Sequence, residues 1–212
     1  MFLTFEGVDC SGKTTQAAML VDALRARSST TVHFIREPGG TPISERLREL
    51  LLDRRNLELS ELTELFLFSA SRAQLVAQFI LPALARGEIV VCDRFHDSTT
   101  AYQGYGRGLD LDAVRRINAV ATAGTDPDIT VLVDIPVGEI EARKKRSGSA
   151  PDRMENAGRE FYERVRKGYL AIAREHPGRF IVIDGMRNVN DIAQDIRRAV
   201  EERLGQPHRE EK

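Results

Sequence analysis

The chain has 212 residues, 42% hydrophobic and 30% charged, an ordinary globular composition from which a core of normal size can form. A formal net charge of −1 gives no overall pull toward nucleic acid or anionic membrane, so any anionic ligand must be gripped by locally gathered arginines. Two cysteines, Cys10 and Cys92, form no disulfide framework and fit a reducing, cytoplasmic setting. No apolar run of membrane-spanning length is visible, and the N-terminus lacks the basic stretch of a signal peptide.

In chain order, the apolar run at 2–5 predicts a first strand. The octapeptide Gly7-Val8-Asp9-Cys10-Ser11-Gly12-Lys13-Thr14 follows it and opens a helical pattern over 13–26, with Thr15 next in line. This is the phosphate-binding loop pattern of a strand, a glycine-rich turn and a helix. Its glycines let backbone N–H groups and the helix N-terminus face phosphate. Lys13 is expected on the β- and γ-phosphates of a nucleoside triphosphate and Thr14 on Mg2+. The motif predicts triphosphate binding and is silent on what is done with it.

A second strand is predicted at 31–35, then helices at 43–54 and 61–85, the latter kinked or restarted at Pro82. The third strand, 89–92, runs into Asp93, as the magnesium-side carboxylate of phosphate-loop proteins does. Arg94 follows directly, a residue with a purpose where the acceptor carries its own phosphate. Helix 111–123, strand 129–133, helices 137–146 and 159–175, strand 180–183 and helix 189–204 complete the pattern. Strand alternating with helix predicts an α/β fold, a parallel five-stranded sheet between two helical layers. Ligands then bind beyond the carboxyl ends of the strands. One domain over 1–205 with a polar tail at 206–212 is expected.

Arg36-Glu37-Pro38-Gly39-Gly40-Thr41 with Arg48, Phe68-Ser69-Ala70-Ser71-Arg72, Asp93-Arg94-Phe95 with Ser98, and Ala101-Tyr102-Gln103-Gly104 join Phe5-Glu6-Gly7-Val8-Asp9 in one chain. Over nearly its whole length the sequence resembles the thymidylate kinase family of phosphate-loop nucleoside monophosphate kinases. The resemblance implies transfer of the γ-phosphoryl group of ATP to dTMP, with Mg2+, in dTTP biosynthesis. It also implies a cytoplasmic homodimer with no nucleic-acid or membrane partner.

Phe68 and Arg72 stand four apart on one helix face, where a ring and a guanidinium can stack on a pyrimidine and bond its carbonyl. The plainer alternative is a core phenylalanine beside a solvated arginine. By resemblance Arg72 bonds the thymine O4, while Ser98, Thr99 and Gln103 read the base edge and Tyr102 packs on the sugar. Arg48 and Arg94 are able to clamp the acceptor phosphate bidentately. Asp9 is implied to accept from the deoxyribose 3′-hydroxyl, and Glu37 to order water around Mg2+, which Thr14 and Asp93 would ligate.

The basic run from Arg143 to Arg146 leads into a small-residue stretch ending at Arg153, and predicts a helical lid over about 143–156. Arg143 and Asp184, with the loop residues from Gly7 to Thr15, are expected to bind ATP. The phosphate loop carries no cation besides Lys13, so catalytic charge is expected from Lys13, Arg94 and Arg153 beside Asp93, with Arg146 in reserve. Two departures from the family pattern are Phe95, where Tyr is more frequent, and Cys10, where Gly or Ala is. A kinase for another nucleotide remains open. So does a GTP-binding switch, although no Asn-Lys-x-Asp guanine-reading motif is present.

Overall fold

A computed structural model of the chain describes residues 1–147, 153–154 and 158–204. Residues 148–152 and 155–157 of the expected lid and the expected tail at 206–212 lie outside the described residues. Five strands, β1 (Phe2–Glu6), β2 (Val32–Arg36), β3 (Ile89–Asp93), β4 (Ile129–Asp134) and β5 (Phe180–Asp184), form one parallel sheet in the order β2-β3-β1-β4-β5. Every residue of β1 and β3 is buried, whereas β2 and β5 mix buried, half-buried and exposed positions. Interior strands covered on both faces tolerate unbroken apolar runs, and edge strands need not be so uniform.

Side-chain alternation sorts the core into layers. Leu3 and Phe5 of β1, Val91 of β3 and Val131 and Val133 of β4 pack with Ala17 and Val21 of α1 (Lys13–Arg27) and Ile192 and Ile196 of α9 (Val189–Leu204). On the opposite face, Phe2, Val90, Cys92 and Phe95 meet Leu75, Val76 and Ile80. There too Leu132 packs with Val165, Tyr169 and Ile172 of α8 (Arg159–Glu175).

The helices between are α2 (Pro42–Leu52), α3 (Glu61–Leu75), α4 (Leu81–Ala85), the short α5 (His96–Thr99), α6 (Leu111–Ala121) and α7 (Val137–Ser147). Thr41 caps α2 by accepting from Ser44 N–H at 3.2 Å, and Pro42 fills the first turn, where its missing N–H costs nothing. The expected restart at Pro82 takes the form of a π-helical turn, Val76–Ile80, between α3 and α4. The proline ring clashes with the carbonyl one α-turn earlier, and a wider turn relieves it. A second π segment, Thr100–Gly106, continues α5 through the Ala-Tyr-Gln-Gly run, where no element was expected.

The expectation that nothing reaches membrane-spanning length needs one correction. The continuous helix from Glu61 to Ala85 does so, with a mean hydropathy of 1.3 over 18 residues. Its inner face carries the buried polar side chains Glu64, Ser69, Ser71 and Arg72, each paired inside the protein, so that face packs into the core.

Candidate active site

The loop between β1 and α1 is shaped by two glycines. Gly7 has φ +142°, and a β-carbon there would stand 2.5 Å from the Val133 carbonyl oxygen. Gly12, at φ +95°, turns the chain into α1. Both conformations belong to glycine. Lys13, in the first turn, is buried with its Nζ 3.4 Å from Val8 O. Burial lowers its pKa, Arg94 lowers it further, and Asp93, Asp9 and Glu6 work against the shift. The neighbouring Thr14 hydroxyl donates to Asp93 Oδ2.

Asp93 ends β3 and Arg94 leaves it at φ +71°. This left-handed turn sends the guanidinium back across the phosphate loop. Arg94 donates to Asp9 Oδ1 at 2.5 Å, Gly7 O at 3.0 Å, Ser98 Oγ at 3.1 Å, Tyr169 OH at 3.1 Å and Tyr102 OH at 3.3 Å. Burial opposes its charge, but Tyr102, Tyr169, Asp9 and Glu6 outweigh that and hold its pKa well above the usual guanidinium value. Asp9 also accepts from Tyr162 OH at 2.9 Å and Tyr102 OH at 3.1 Å. Burial alone would raise the Asp9 pKa; Arg94, Lys13, the Tyr162 hydroxyl and Lys144 bring it below the ordinary aspartate value.

Beside the loop opens a cavity of about 300 Å³. All ten residues expected around the acceptor line it: Asp9, Glu37, Arg48, Phe68, Arg72, Arg94, Ser98, Thr99, Tyr102 and Gln103. Lys13, Thr14 and Asp93 line its loop end, so the phosphate site and the cavity are continuous. Half-buried Phe68 flanks it, and Arg48 donates to Pro38 O at 3.0 Å.

Arg72 corrects the plainer alternative. It is 2% exposed, with Nε 2.8 Å from Glu37 Oε2, Nη1 3.2 Å from Asn118 Oδ1 and Nη2 3.2 Å from the Phe95 carbonyl. A guanidinium this deep requires partners, and Glu37 supplies the charge. Burial is the main cause that lifts the Glu37 pKa to about 7, against the pull of Arg72. Glu37 Oε1 and Asp93 Oδ1 are buried and have no hydrogen-bond partner among the described residues. Together with the Thr14 hydroxyl they offer oxygen donors of the kind Mg2+ takes, so the residues present fit that ion.

Arg143, on α7, donates to the Cys10 and Ser11 carbonyls at 3.2 and 3.1 Å and to Gly185 O at 2.8 Å. It ties the phosphate loop to the turn after β5, where Asp184 Oδ1 accepts from Met186 N–H at 2.9 Å. Arg153 stands elsewhere. Its Nε donates to Leu51 O at 2.8 Å and its Nη2 pairs with buried Glu64 at 2.6 Å, so it is not gathered onto the phosphate loop. An anionic side chain inside α3 draws the arginine to the acceptor end of the cleft. Arg146 is exposed, 3.8 Å from Glu139.

Sequence reading placed Glu6 in a motif at the end of the first strand without giving it a role, and missed Glu64, Tyr162 and Tyr169 as site residues. Glu6 accepts from Phe95 N–H, Ser98 Oγ and Tyr169 OH at 2.7, 2.6 and 2.9 Å, and so holds the Arg94 turn from behind. Tyr162 and Tyr169 lie seven apart on α8, a spacing that puts both hydroxyls on one face and was available as a signal.

The family model for thymidylate kinase matches residues 5–196. A thymidylate kinase of Caldanaerobacter subterraneus subsp. tengcongensis is 48% identical over 203 residues, 96% of each chain. One from Trichlorobacter lovleyi is 45% identical over 212 residues, covering 98% of this chain and all of the relative. Among solved structures, thymidylate kinase from Ehrlichia chaffeensis superposes with a TM-score of 0.76 at 35% identity, over 94% of this chain and 98% of that one.

Proposed function

The chain belongs to the thymidylate kinase family, and from that premise we propose that it transfers the γ-phosphoryl group of ATP to dTMP, giving dTDP and ADP. The observation that carries this reading is the continuity of a triphosphate-binding loop with a cavity whose arginines sit where a second phosphate would arrive. ATP phosphates would lie on the loop amides and Lys13, under Arg143, and Thr14 and Asp93 would hold Mg2+. Bound Mg2+ supplies charge neutralisation at the phosphate oxygens.

The chain's own side chains position the reactants. Arg48 and Arg94 would take the acceptor phosphate; Asp9, paired with Arg94, would accept from the sugar hydroxyl. Phe68 would stack on the base, with Arg72, Ser98, Thr99 and Gln103 at its edge, and Tyr102 under the sugar. A phosphate monoester is already ionised near neutral pH, so no general base is needed. Catalysis is orientation and preformed positive charge. Arg153 belongs to this reading as a source of catalytic charge that would have to leave Glu64 and the Leu51 carbonyl to reach the transferred group. The family also supports a cytoplasmic homodimer acting on nucleotides.

A coupled assay of ADP release over a panel of deoxynucleoside and nucleoside monophosphates tests the reading. ADP release should depend on the acceptor and be fastest with dTMP. Steady ATP or GTP turnover without acceptor, or preference for another nucleotide, rejects it.

A further inference from the structure

Glu64 lies on the inner face of α3, 1% exposed, outside the ten residues that line the cavity as expected. Four donors reach its carboxylate. Gln103 Nε2 is 2.9 Å from Oε1, Arg107 Nε and Nη2 are 3.2 and 3.3 Å from the two oxygens, and Arg153 Nη2 is 2.6 Å from Oε2. Burial of a carboxylate at this depth is sustained by the two guanidiniums. Gln103 is the neutral member of the cluster and itself 1% exposed, at the cavity wall.

An ion-paired carboxylate only accepts hydrogen bonds, so Gln103 has to turn its N–H group toward Glu64. Its amide oxygen is then the end left for a ligand. A pyrimidine edge that meets this oxygen must bring a donor. Thymine and uracil carry N3–H; cytosine has a bare N3, an acceptor, at the same position. Two acceptors facing each other in a buried site leave both unsatisfied, which is the arrangement that rejects a wrong substrate most strongly.

We propose that Glu64 is a specificity-determining positioning residue, which fixes the Gln103 amide so that only bases with an N3–H donor are accepted. The inference rests on the reading of the cavity as the dTMP site. It adds that base choice is set one residue behind the wall, by a carboxylate that also pairs with Arg153. The Gln103 amide and Arg153 therefore share one anchor.

The test compares kcat/KM for dTMP and dCMP in the unaltered enzyme, Glu64→Gln, Gln103→Leu and the double variant. A glutamine at 64 can donate or accept, which frees the Gln103 amide to flip. The dTMP-to-dCMP ratio should fall about 10- to 100-fold in Glu64→Gln, with KM for ATP nearly unchanged. In the Gln103→Leu background the same change should move the ratio no further. A ratio unaltered by Glu64→Gln, or one that falls equally in the Gln103→Leu background, overturns the inference. If the unaltered enzyme does not phosphorylate dTMP, the functional reading itself has failed, an outcome distinct from this one. Should Glu64→Gln not fold, the unaltered protein still decides. The Gln103 side-chain amide protons, assigned by their loss in Gln103→Leu, should exchange slowly with solvent with or without dTMP. Fast exchange in both states overturns the proposal.

Discussion

Glu6 sets the behaviour of the site at the level of single residues. Burial is the largest influence on it and raises its pKa; Asp97 adds to this, while Arg94, Ser98 and the Phe95 amide pull back without cancelling it. Its folded-state pKa therefore lies above the ordinary glutamate value of 4.5. Above that value the unfolded chain has released a proton that the folded protein still holds. The stabilising contribution is whole below 4.5 and is lost as pH rises through the folded-state pKa. Glu6→Gln keeps the shape and removes the titration. The melting temperature of the free enzyme relative to Glu6→Gln should decline as pH rises above 4.5 and through the folded-state pKa, by roughly 2–4 °C per kcal/mol lost. Calorimetry across that range checks it, and a constant offset refutes the role. The same residue shows what the sequence conceals. Residues that line the cavity, such as Arg94 and Gln103, follow strands or recognisable motifs and were legible. Glu6 closes an apolar strand and Glu64 sits inside an apolar helix, and the role of each depends on partners 92 and 39 residues away. No local pattern encodes such a partner, which is also why Arg153 was expected on phosphate and is found on Glu64.

Among the elements, strands were the most readable, because fully buried parallel strands leave runs of β-branched residues between turn signals. Helix interiors were harder. The π segment Thr100–Gly106 was invisible, since nothing in its composition distinguishes it from a loop, yet it presents Tyr102 and Gln103 to the cavity. The phosphate loop was fully legible, but its tie to α7 was only partly so. Arg143 bridges that loop and the turn after β5 through three backbone carbonyls, none of which sequence can reveal. Because the bridge shapes the ATP side alone, Arg143→Ala should raise KM for ATP about 10-fold or more, the cost of a lost charged hydrogen bond. KM for dTMP should hardly change. Steady-state kinetics with each substrate varied in turn will separate the two, and a parallel rise in both would show that Arg143 serves the fold instead.

For the whole molecule, the outer face of the long helix is the telling feature. Leu62, Phe66, Ala70, Ala73, Ala77 and Leu81 recur at intervals of three or four along α3, the π turn and α4, and all are exposed. Leu62 and Phe66 each keep 51% of their surface open to solvent. A helix serving only its own core would carry polar residues there, and contiguous apolar surface of this kind marks an interface. Large residues at the ends with alanines between let two such helices approach closely across a twofold axis, where one patch faces its own copy. The opposite face of this helix bears Glu64, Phe68 and Arg72, so pairing would also stiffen the acceptor site. The proposed homodimer is therefore expected to form through this stripe. Sedimentation equilibrium should give about twice the chain mass for the unaltered protein and the single-chain mass for Ala73→Arg, which places a charge where the helices meet. The monomeric variant should fold, since position 73 is solvent-facing within the chain, and should lose kcat/KM for dTMP more than for ATP. A monomeric unaltered protein, or an Ala73→Arg variant that remains dimeric, would remove this face from the assembly.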